Sequence, residues 1–159
     1  MSALVRIAST PDEDRLFAFV WSAYEEMPHA TKSERKVRDV VRAAVSREAT
    51  DFAEVGTVLM PPIFALIDGP GGIEAAVGLH PEQWWYSDKY ALRGFFFYVH
   101  PDHQRGKGAH TNSLRDFSVG FAAQIGMPLI QTCFSERKEK VYARGMAQIG
   151  TVFATGLAA

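Results

Sequence analysis

The sequence predicts an α/β protein of the α+β type, with strands and helices in the order β-α-α-β-β-β-α-β-α-β. Over residues 10–48 apolar side chains recur at the period of a helix, and from Val55 onward they alternate with the period of a strand. A basic, glycine-containing loop then separates a strongly apolar strand from a further helix. The change of period therefore predicts two helices before the main strands, and a further helix is predicted directly after the loop.

The first third of the chain is predicted to hold one short strand and two helices. Residues 3–8 form the strand, and the segment TPDE at residues 10–13 supplies a helix cap, an N-terminal proline and a capping-box glutamate. A second capping box, Thr31 with Glu34, precedes a valine-rich helix that ends near Glu48. Apolar side chains follow the first cap at helical spacing, at Leu16, Val20, Ala23 and Met27.

The middle of the chain is predicted to form a β-hairpin, then a long strand, then a helix. Alternating apolar residues at 63–67 and 73–79 flank the turn-rich segment DGPGG. A strand follows over residues 90–99 and a helix over residues 108–124. The remaining predicted elements are a buried strand at 129–134, a last helix capped by Ser135, and a final strand at 151–155.

Length and composition favour a single globular domain over residues 1–159. The chain is 47% hydrophobic and 22% charged, and 159 residues are enough to bury one core. Its 17 basic and 18 acidic residues give a net charge of −1, which provides no general attraction for nucleic acid or an anionic membrane. Cys133 is the only cysteine, residues 1–15 lack the apolar core that a signal peptide needs, and no apolar run approaches the length of a membrane span. We therefore expect a cytoplasmic protein in which any anion site is local.

The most informative segment is FFFYVHPDHQRGKGAHTNSL, at residues 95–114. A strand, a run of closely spaced backbone N–H groups and a helix N-terminus together bind phosphate oxygens. Arg105 and Lys107 add positive charge beside Gly106 and Gly108, whose missing side chains let a ligand approach the backbone. The glycine spacing fits neither a Walker-type P-loop nor a Rossmann fingerprint. The residues thus predict an anion site, and the alternative is a strand-to-helix connection that is merely basic.

Residues 98–109, YVHPDHQRGKGA, resemble the V-x-P-x-x-(Q/R)-x-x-G-x-(G/A) acyl-CoA loop of the GNAT N-acetyltransferase superfamily. We centre this motif on Arg105 to Ala109; starting it at Arg105 puts His110 where the family has Gly or Ala. The order of elements also resembles the GNAT fold, whose central, mostly antiparallel sheet is flanked by helices and splayed between its fourth and fifth strands. The resemblance implies transfer of an acetyl group from acetyl-CoA to a primary amine, by direct attack in a ternary complex.

The resemblance also implies roles for individual residues. The Val99 N–H would donate to the acetyl carbonyl, where negative charge develops. Tyr142, in a segment that resembles the family's N-x-x-A-x-x-L-Y signature, would protonate the departing thiolate; the structural alternative is a half-buried helix tyrosine. The residues implied to bind the coenzyme are Tyr98, Val99, Gln104, Arg105, Gly106, Lys107, Gly108, Ala109, His110 and Ser135.

The sequence defines the proton acceptor and the amine site less sharply. Candidate bases on or near the hairpin are Glu74, His80, Glu82 and Asp88. His80 is favoured because it ends an apolar strand and an unperturbed histidine titrates near neutrality. Trp84, Trp85, Tyr86 and Glu82 are candidate substrate contacts. The three aromatic residues could instead fill the core or contact a second copy of the chain in a homodimer.

Several functions stay open at the level of sequence. The acceptor could be a small amine, an antibiotic, a protein amine or an aminoacyl-tRNA, although the near-zero net charge disfavours nucleic acid. The alternative is a non-catalytic CoA-binding module that contacts a protein partner, which the departures from the family pattern at Ser135 and His110 favour. A third hypothesis is an acyltransferase that uses longer acyl groups.

Three histidines near the loop, His100, His103 and His110, raise the question of a metal site. No cysteine or carboxylate completes a recognisable zinc spacing around them. The sequence therefore predicts acetyl-CoA as co-substrate and no metal.

Overall fold

The computed structural model describes residues 4–25, 33–47, 61–83, 88–104 and 108–131. Its strands are β1 (Val5–Ile7), β2 (Ile63–Gly69), β3 (Gly72–Gln83), β4 (Tyr90–Val99) and β5 (Leu129–Gln131). Its helices are α1 (Glu13–Glu25), α2 (Glu34–Ser46), α3 (Pro101–Gln104) and α4 (Ala109–Gln124). Within these ranges no helix combines the length and the apolar character needed to cross a membrane.

The strands form one sheet in the order β1-β2-β3-β4-β5. Strands β1 to β4 pair with one another in antiparallel fashion, and β5 runs parallel to β4. Parallel neighbouring strands need a long crossover connection. Between β4 and β5 this connection contains helix α4. This mixed sheet confirms the predicted fold class, and the elements follow the predicted order through β5 apart from the additional short helix α3. The predicted last helix and last strand lie outside the described residues.

The sheet has a core on each face because side chains alternate along a strand. On one face Phe64, Phe96 and Tyr98 pack against α1 and α2. On the other face Val77 and Leu79 pack with side chains of α4, including Leu114. The apolar stripes that predicted these helices therefore do lie in the core.

Strand β4 carries a bulge at Phe95, where its pairing register with β3 shifts by one residue. Gly78 pairs with Phe96, whereas the next residue of β3, Leu79, pairs with Gly94. A Cβ atom at Gly78 would lie 2.6 Å from Cζ of Phe95, so only glycine leaves room for that ring to cross β3. The bulge is thus stabilised by a glycine on the neighbouring strand.

The helix caps differ from the predicted ones. A 3-10 turn, Thr10–Asp12, precedes α1, and the Asp12 carboxylate accepts from the Ser9 N–H at 2.9 Å, so the cap stands one residue before Thr10. Helix α2 is capped by Ser33, whose Oγ accepts from the Lys36 N–H. Thr31 lies outside the described residues. Each observed N-cap lies one or two residues from the predicted one, because several polar residues that can cap a helix stand close together before it.

An ion-pair network fastens the first strand to the helical layer. The buried Asp12 carboxylate accepts from Arg6 at 2.7 and 2.9 Å and from Nε of Arg15 at 2.8 Å. The same two arginines also bind Asp68 at the end of β2. The hydrogen bonds from Arg6 hold the pKa of Asp12 well below its usual range.

Candidate functional site

The site begins at the end of β4, where the backbone of Val99 faces away from β3. The His100 N–H donates to the Glu74 carbonyl at 2.9 Å, so it points toward β3. Successive N–H groups of a strand point to opposite sides, and the Val99 N–H is therefore directed to the β5 side. The role of this N–H as a donor to an acetyl carbonyl stays a prediction.

The pairing of β4 with β5 is short in the part of the chain that the structure describes. Leu92, Arg93 and Gly94 pair with Leu129–Gln131, and β4 continues past this register over residues 95–99. The Gln131 side chain lies across Gly94, where a Cβ atom would approach its Oε1 to 1.8 Å. Residues 132–134 lie outside the described ranges.

The connection from β4 to α4 contains a short helical turn that the sequence did not predict. Helix α3 covers Pro101–Gln104, and the His103 N–H donates to the His100 carbonyl at 2.9 Å. The Gln104 side-chain amide donates to the Val99 carbonyl at 2.7 Å. Gln104 therefore braces the end of β4 from within the predicted coenzyme loop.

Gly108 is the N-cap of α4 and adopts the left-handed conformation, with φ of 72°. A glycine is favoured there because a side chain would strain the backbone. The Gly108 carbonyl accepts from the Asn112 N–H at 2.9 Å, and Ala109 and His110 form the first turn of the helix. The N–H groups of this turn have no intrahelical acceptor, which makes the helix start a place for an anion.

The side chain of Tyr98 lies in the core. Its ring packs edge-on against Phe19 with centroids 5.4 Å apart, and the residue is buried. Because Val99 faces away from β3, the backbone of Tyr98 faces its β3 partner, Ala76. The ring of Tyr98 therefore has a packing role, and the contact of this residue with the coenzyme stays a prediction.

An apolar cleft of about 170 Å³ opens on the α1 and α2 side of the sheet, beside the bulge. Phe95 and Phe96 of β4 form part of its wall. Its other lining residues among those described are Val20, Tyr24, Lys36, Val37, Val40, Val41 and Phe64. Lys36 is the only charged residue of this lining, so the described wall suits an apolar group.

His80 is buried on β3 and packs against the bulged residue Phe95, with ring centroids 5.4 Å apart. Its Nδ1 lies 3.2 Å from the Pro81 carbonyl, which can only accept. Nδ1 therefore carries the proton in the neutral ring, and Nε2 is the basic nitrogen. Burial lowers the pKa of His80, and the Pro81 carbonyl opposes this in part. Burial therefore favours the neutral form of the ring.

The other candidate bases are placed less favourably. Glu82 accepts from Arg93 on the neighbouring strand at 2.9 and 3.1 Å, so its carboxylate already has a cationic partner. Asp88 is an exposed residue just before β4. His80 is the candidate base that the structure brings next to both the bulge and the cleft wall.

Glu74 lies in a cluster that the sequence did not predict. Its Oε2 is 2.7 Å from Nε2 of His110, and its Oε1 is 3.7 Å from Nε2 of His103. The rings of His103 and His110 stack with centroids 5.7 Å apart and an interplanar angle of 8°. The carboxylate that sequence spacing could not supply is therefore provided by β3, a different element of the fold.

The structure does not describe the other predicted site residues. They are Trp84, Trp85, Tyr86, Arg105, Gly106, Lys107, Ser135 and Tyr142.

Comparison with known proteins finds similarity in structure. No protein-family model matches the sequence, and no curated protein matches it. A predicted acetyltransferase from Clostridium acetobutylicum, solved with acetyl-CoA, has a TM-score of 0.68 at 13% identity, over 95% of this chain and 94% of its own. A ribosomal-protein-alanine N-acetyltransferase from Brucella melitensis has a TM-score of 0.64 at 15% identity, over 98% of each chain. A GNAT family acetyltransferase from Staphylococcus aureus has a TM-score of 0.63 at 16% identity, over 99% of this chain and 100% of its own.

The chain therefore has the GNAT fold, as the element order predicted. At this level of identity the likeness shows the fold, and the activity depends on the residues of the site.

Proposed function

We propose that the protein transfers an acetyl group from acetyl-CoA to a primary amine, by direct attack within a ternary complex. The observation that carries this proposal is the course of β4. The strand is bulged at Phe95, its Val99 N–H is directed to the β5 side, and the chain then enters α4 through the left-handed Gly108. An acyl-CoA enzyme needs this sequence of parts, with a donor for the thioester carbonyl followed by an amide cradle for phosphate.

In this proposal the coenzyme pyrophosphate binds the backbone N–H groups between His103 and His110. Arg105 and Lys107 supply positive charge, and the start of the long helix α4 adds its dipole. Ser135 is assigned to the same coenzyme site from the sequence alone.

The proposed reaction begins when the amine nitrogen, having lost its extra proton, attacks the thioester carbonyl carbon. The carbonyl oxygen gains negative charge and accepts from the Val99 N–H; removing one such donor typically costs a rate factor on the order of 10²–10³. His80 takes the proton of the amine at Nε2, directly or through water. The C–S bond then breaks, and Tyr142 gives its proton to the thiolate.

The apolar cleft supports an acceptor that carries an apolar group near its amine. Phe64, Phe95 and Phe96 line the cleft, and His80 packs against the second of these rings. Trp84, Trp85 and Tyr86 belong to the proposed acceptor region by their position after β3. A small amine or the N-terminus of a protein would both satisfy this requirement.

The test is thiol release from acetyl-CoA, followed with a thiol-reactive chromophore across a panel of aliphatic, aromatic and peptide amines. We expect amine-dependent release, fastest for amines with an apolar substituent. Tyr142→Phe should lower kcat with little change in the KM for acetyl-CoA, because the hydroxyl acts only on the leaving group. An unchanged kcat in this variant would remove Tyr142 from the mechanism.

The alternative is a CoA-binding module without catalysis, and one observation favours it. His110 stands where the GNAT pattern has a small residue in the Arg105 register, and Glu74 holds its side chain against β3. Binding of acetyl-CoA without thiol release for any amine would support this alternative. Absence of both binding and release would reject the two functions together.

A further inference from the structure

Three potential metal ligands converge at the start of the predicted phosphate loop. Glu74 comes from β3, His103 from α3 and His110 from the first turn of α4. One ligand atom of each lies within 4.8 Å of the other two. Their side chains are 16%, 37% and 20% exposed, so the cluster is partly sheltered but reachable from solvent.

A hydrogen bond between a histidine and a carboxylate would account for only two of the three residues. His110 and Glu74 are 2.7 Å apart, as such a bond requires. His103 adds a second imidazole Nε2, which faces the same carboxylate at 3.7 Å. Two nitrogen donors beside one carboxylate form the donor set that suits zinc and other first-row transition metals.

The sheet fixes the position of the Glu74 carboxylate. The Glu74 carbonyl accepts from the His100 N–H at 2.9 Å, which holds this part of β3 against the end of β4. The side chain of Glu74 lies over Gly69, where a Cβ atom would come within 1.7 Å of Oε1. Glycine at this position of the hairpin therefore leaves space for the carboxylate to reach the histidines.

The separations also suit a metal ion after a small adjustment. Bonds to zinc of about 2.0–2.1 Å place tetrahedral ligand atoms about 3.3 Å apart, between the 2.7 and 3.7 Å that separate the carboxylate from the two rings. His103 is the most exposed of the three and lies in a short helical turn, so its ring can close the remaining distance.

We propose that Glu74, His103 and His110 bind a divalent transition-metal ion, with Zn²⁺ as the probe that tests the site. Three protein ligands leave a fourth position of a tetrahedral ion open. His103 and His110 flank the glycine-containing loop in sequence, so the ion would join its two ends to β3. Such a site goes beyond the proposed transferase reaction and does not depend on it.

The experiment is calorimetric titration of the untagged, chelator-treated full chain with Zn²⁺, in the absence of coenzyme. A Cys133→Ser background removes the only thiol, which could otherwise bind zinc. We expect one ion per chain and a rise in Tm on its addition, because the ion binds the folded state. Co²⁺ in place of Zn²⁺ should give the visible absorption bands of a tetrahedral site.

The variants His103→Ala, His110→Ala and Glu74→Gln should each weaken Zn²⁺ binding by at least about tenfold. His100→Ala is the matched control, since it removes a neighbouring imidazole that lies outside the cluster; it should leave affinity unchanged. Circular dichroism identifies any variant that fails to fold, and Glu74→Gln preserves size where alanine does not. Absence of stoichiometric binding, or an equal loss in the His100 variant, would overturn the proposal.

Discussion

At the scale of single residues, His80 and Asp12 show how the fold fixes the charge of a buried group. Burial keeps the His80 ring neutral by lowering its pKa. Asp12 stays ionised because hydrogen bonds from Arg6 and Arg15 stabilise its carboxylate. Each residue therefore has a pH range in which its contribution to activity or stability should change.

His80 should make activity persist into mildly acidic solution. Because its pKa lies below the ordinary value of 6.5, the acid limb of kcat/KM should fall below pH 6.5. The assay should use a weakly basic amine as acceptor, so that ionisation of the substrate does not determine the acid limb of the pH profile. His80→Gln should abolish the acid limb and lower kcat/KM about a hundredfold, which is the lower end of the range for general acid–base catalysis. An unchanged profile in this variant would exclude His80 as the base, and His100→Gln is the control.

The same shift makes a prediction for stability that does not depend on catalysis. The folded state binds fewer protons at His80 than the unfolded state, so lowering the pH through 6.5 should lower the free energy of unfolding. Urea titrations at pH 7.5 and 5.5 should show a smaller loss in His80→Gln than in the original protein. An equal loss would mean that another group causes the dependence.

Asp12→Asn should lower the free energy of unfolding by about 2–3 kcal/mol, since it weakens charge-assisted hydrogen bonds from two arginines. The pKa of Asp12 is depressed, so its stabilisation is present at neutral pH and is lost as the pH falls below 3.8. Asp39→Asn is the control, because its ion pair with Arg35 is exposed and worth less than about 1 kcal/mol. Equal effects in urea titrations of the two variants would contradict the prediction.

At the scale of elements, the bulge in β4 depends on a glycine in β3. Phe95 is the extra residue, and its ring crosses β3 at Gly78. The same ring contributes to the apolar cleft and contacts His80. The bulge thus connects the sheet register to the proposed acceptor site.

Gly78→Ala should destabilise the protein by about 1–3 kcal/mol, because the added methyl group would lie 2.6 Å from the Phe95 ring and 3.0 Å from the Phe64 ring. Activity should fall by more than stability explains, since the displaced ring borders His80. Gly120→Ala is the matched control in α4, where among the described residues no heavy atom outside the chain neighbours and the helix's own backbone lies within 4 Å of the added carbon. That variant should be more stable by about 0.5–1 kcal/mol, as expected for a helix interior. A stable, active Gly78→Ala protein would show that the bulge tolerates a side chain.

At the scale of the whole molecule, the sheet separates two cores and brings three segments to one end. The α1 and α2 core lies on the side of the cleft, and the α4 core lies on the opposite face. The end of β4, the start of β3 and the start of α4 meet at Glu74, His100 and His110. Ligand binding at this meeting point should therefore stabilise the fold as a unit.

Acetyl-CoA at a hundred times its Kd should raise the free energy of unfolding by about 2.7 kcal/mol. Arg105→Ala should weaken coenzyme binding by about 1.5–3 kcal/mol, the value of a charge-assisted hydrogen bond. Arg35→Ala removes an equal charge from an exposed position of α2 and should leave the affinity unchanged. Thermal melts and calorimetry would measure both, and an unaffected Arg105 variant would place the phosphate contact elsewhere.

Periodicity and turn residues act over a few neighbouring positions, and this local information predicted the hairpin, the long strand β4 and the order of elements through β5 apart from α3. It also supplied the family resemblance through the residues of one loop. The bulge at Phe95, which depends on Gly78, and the contact of Glu74 with His110, 36 positions away, became visible in the folded structure alone. Contacts of this kind follow from strand register and helix docking, which the pattern of a single segment does not contain.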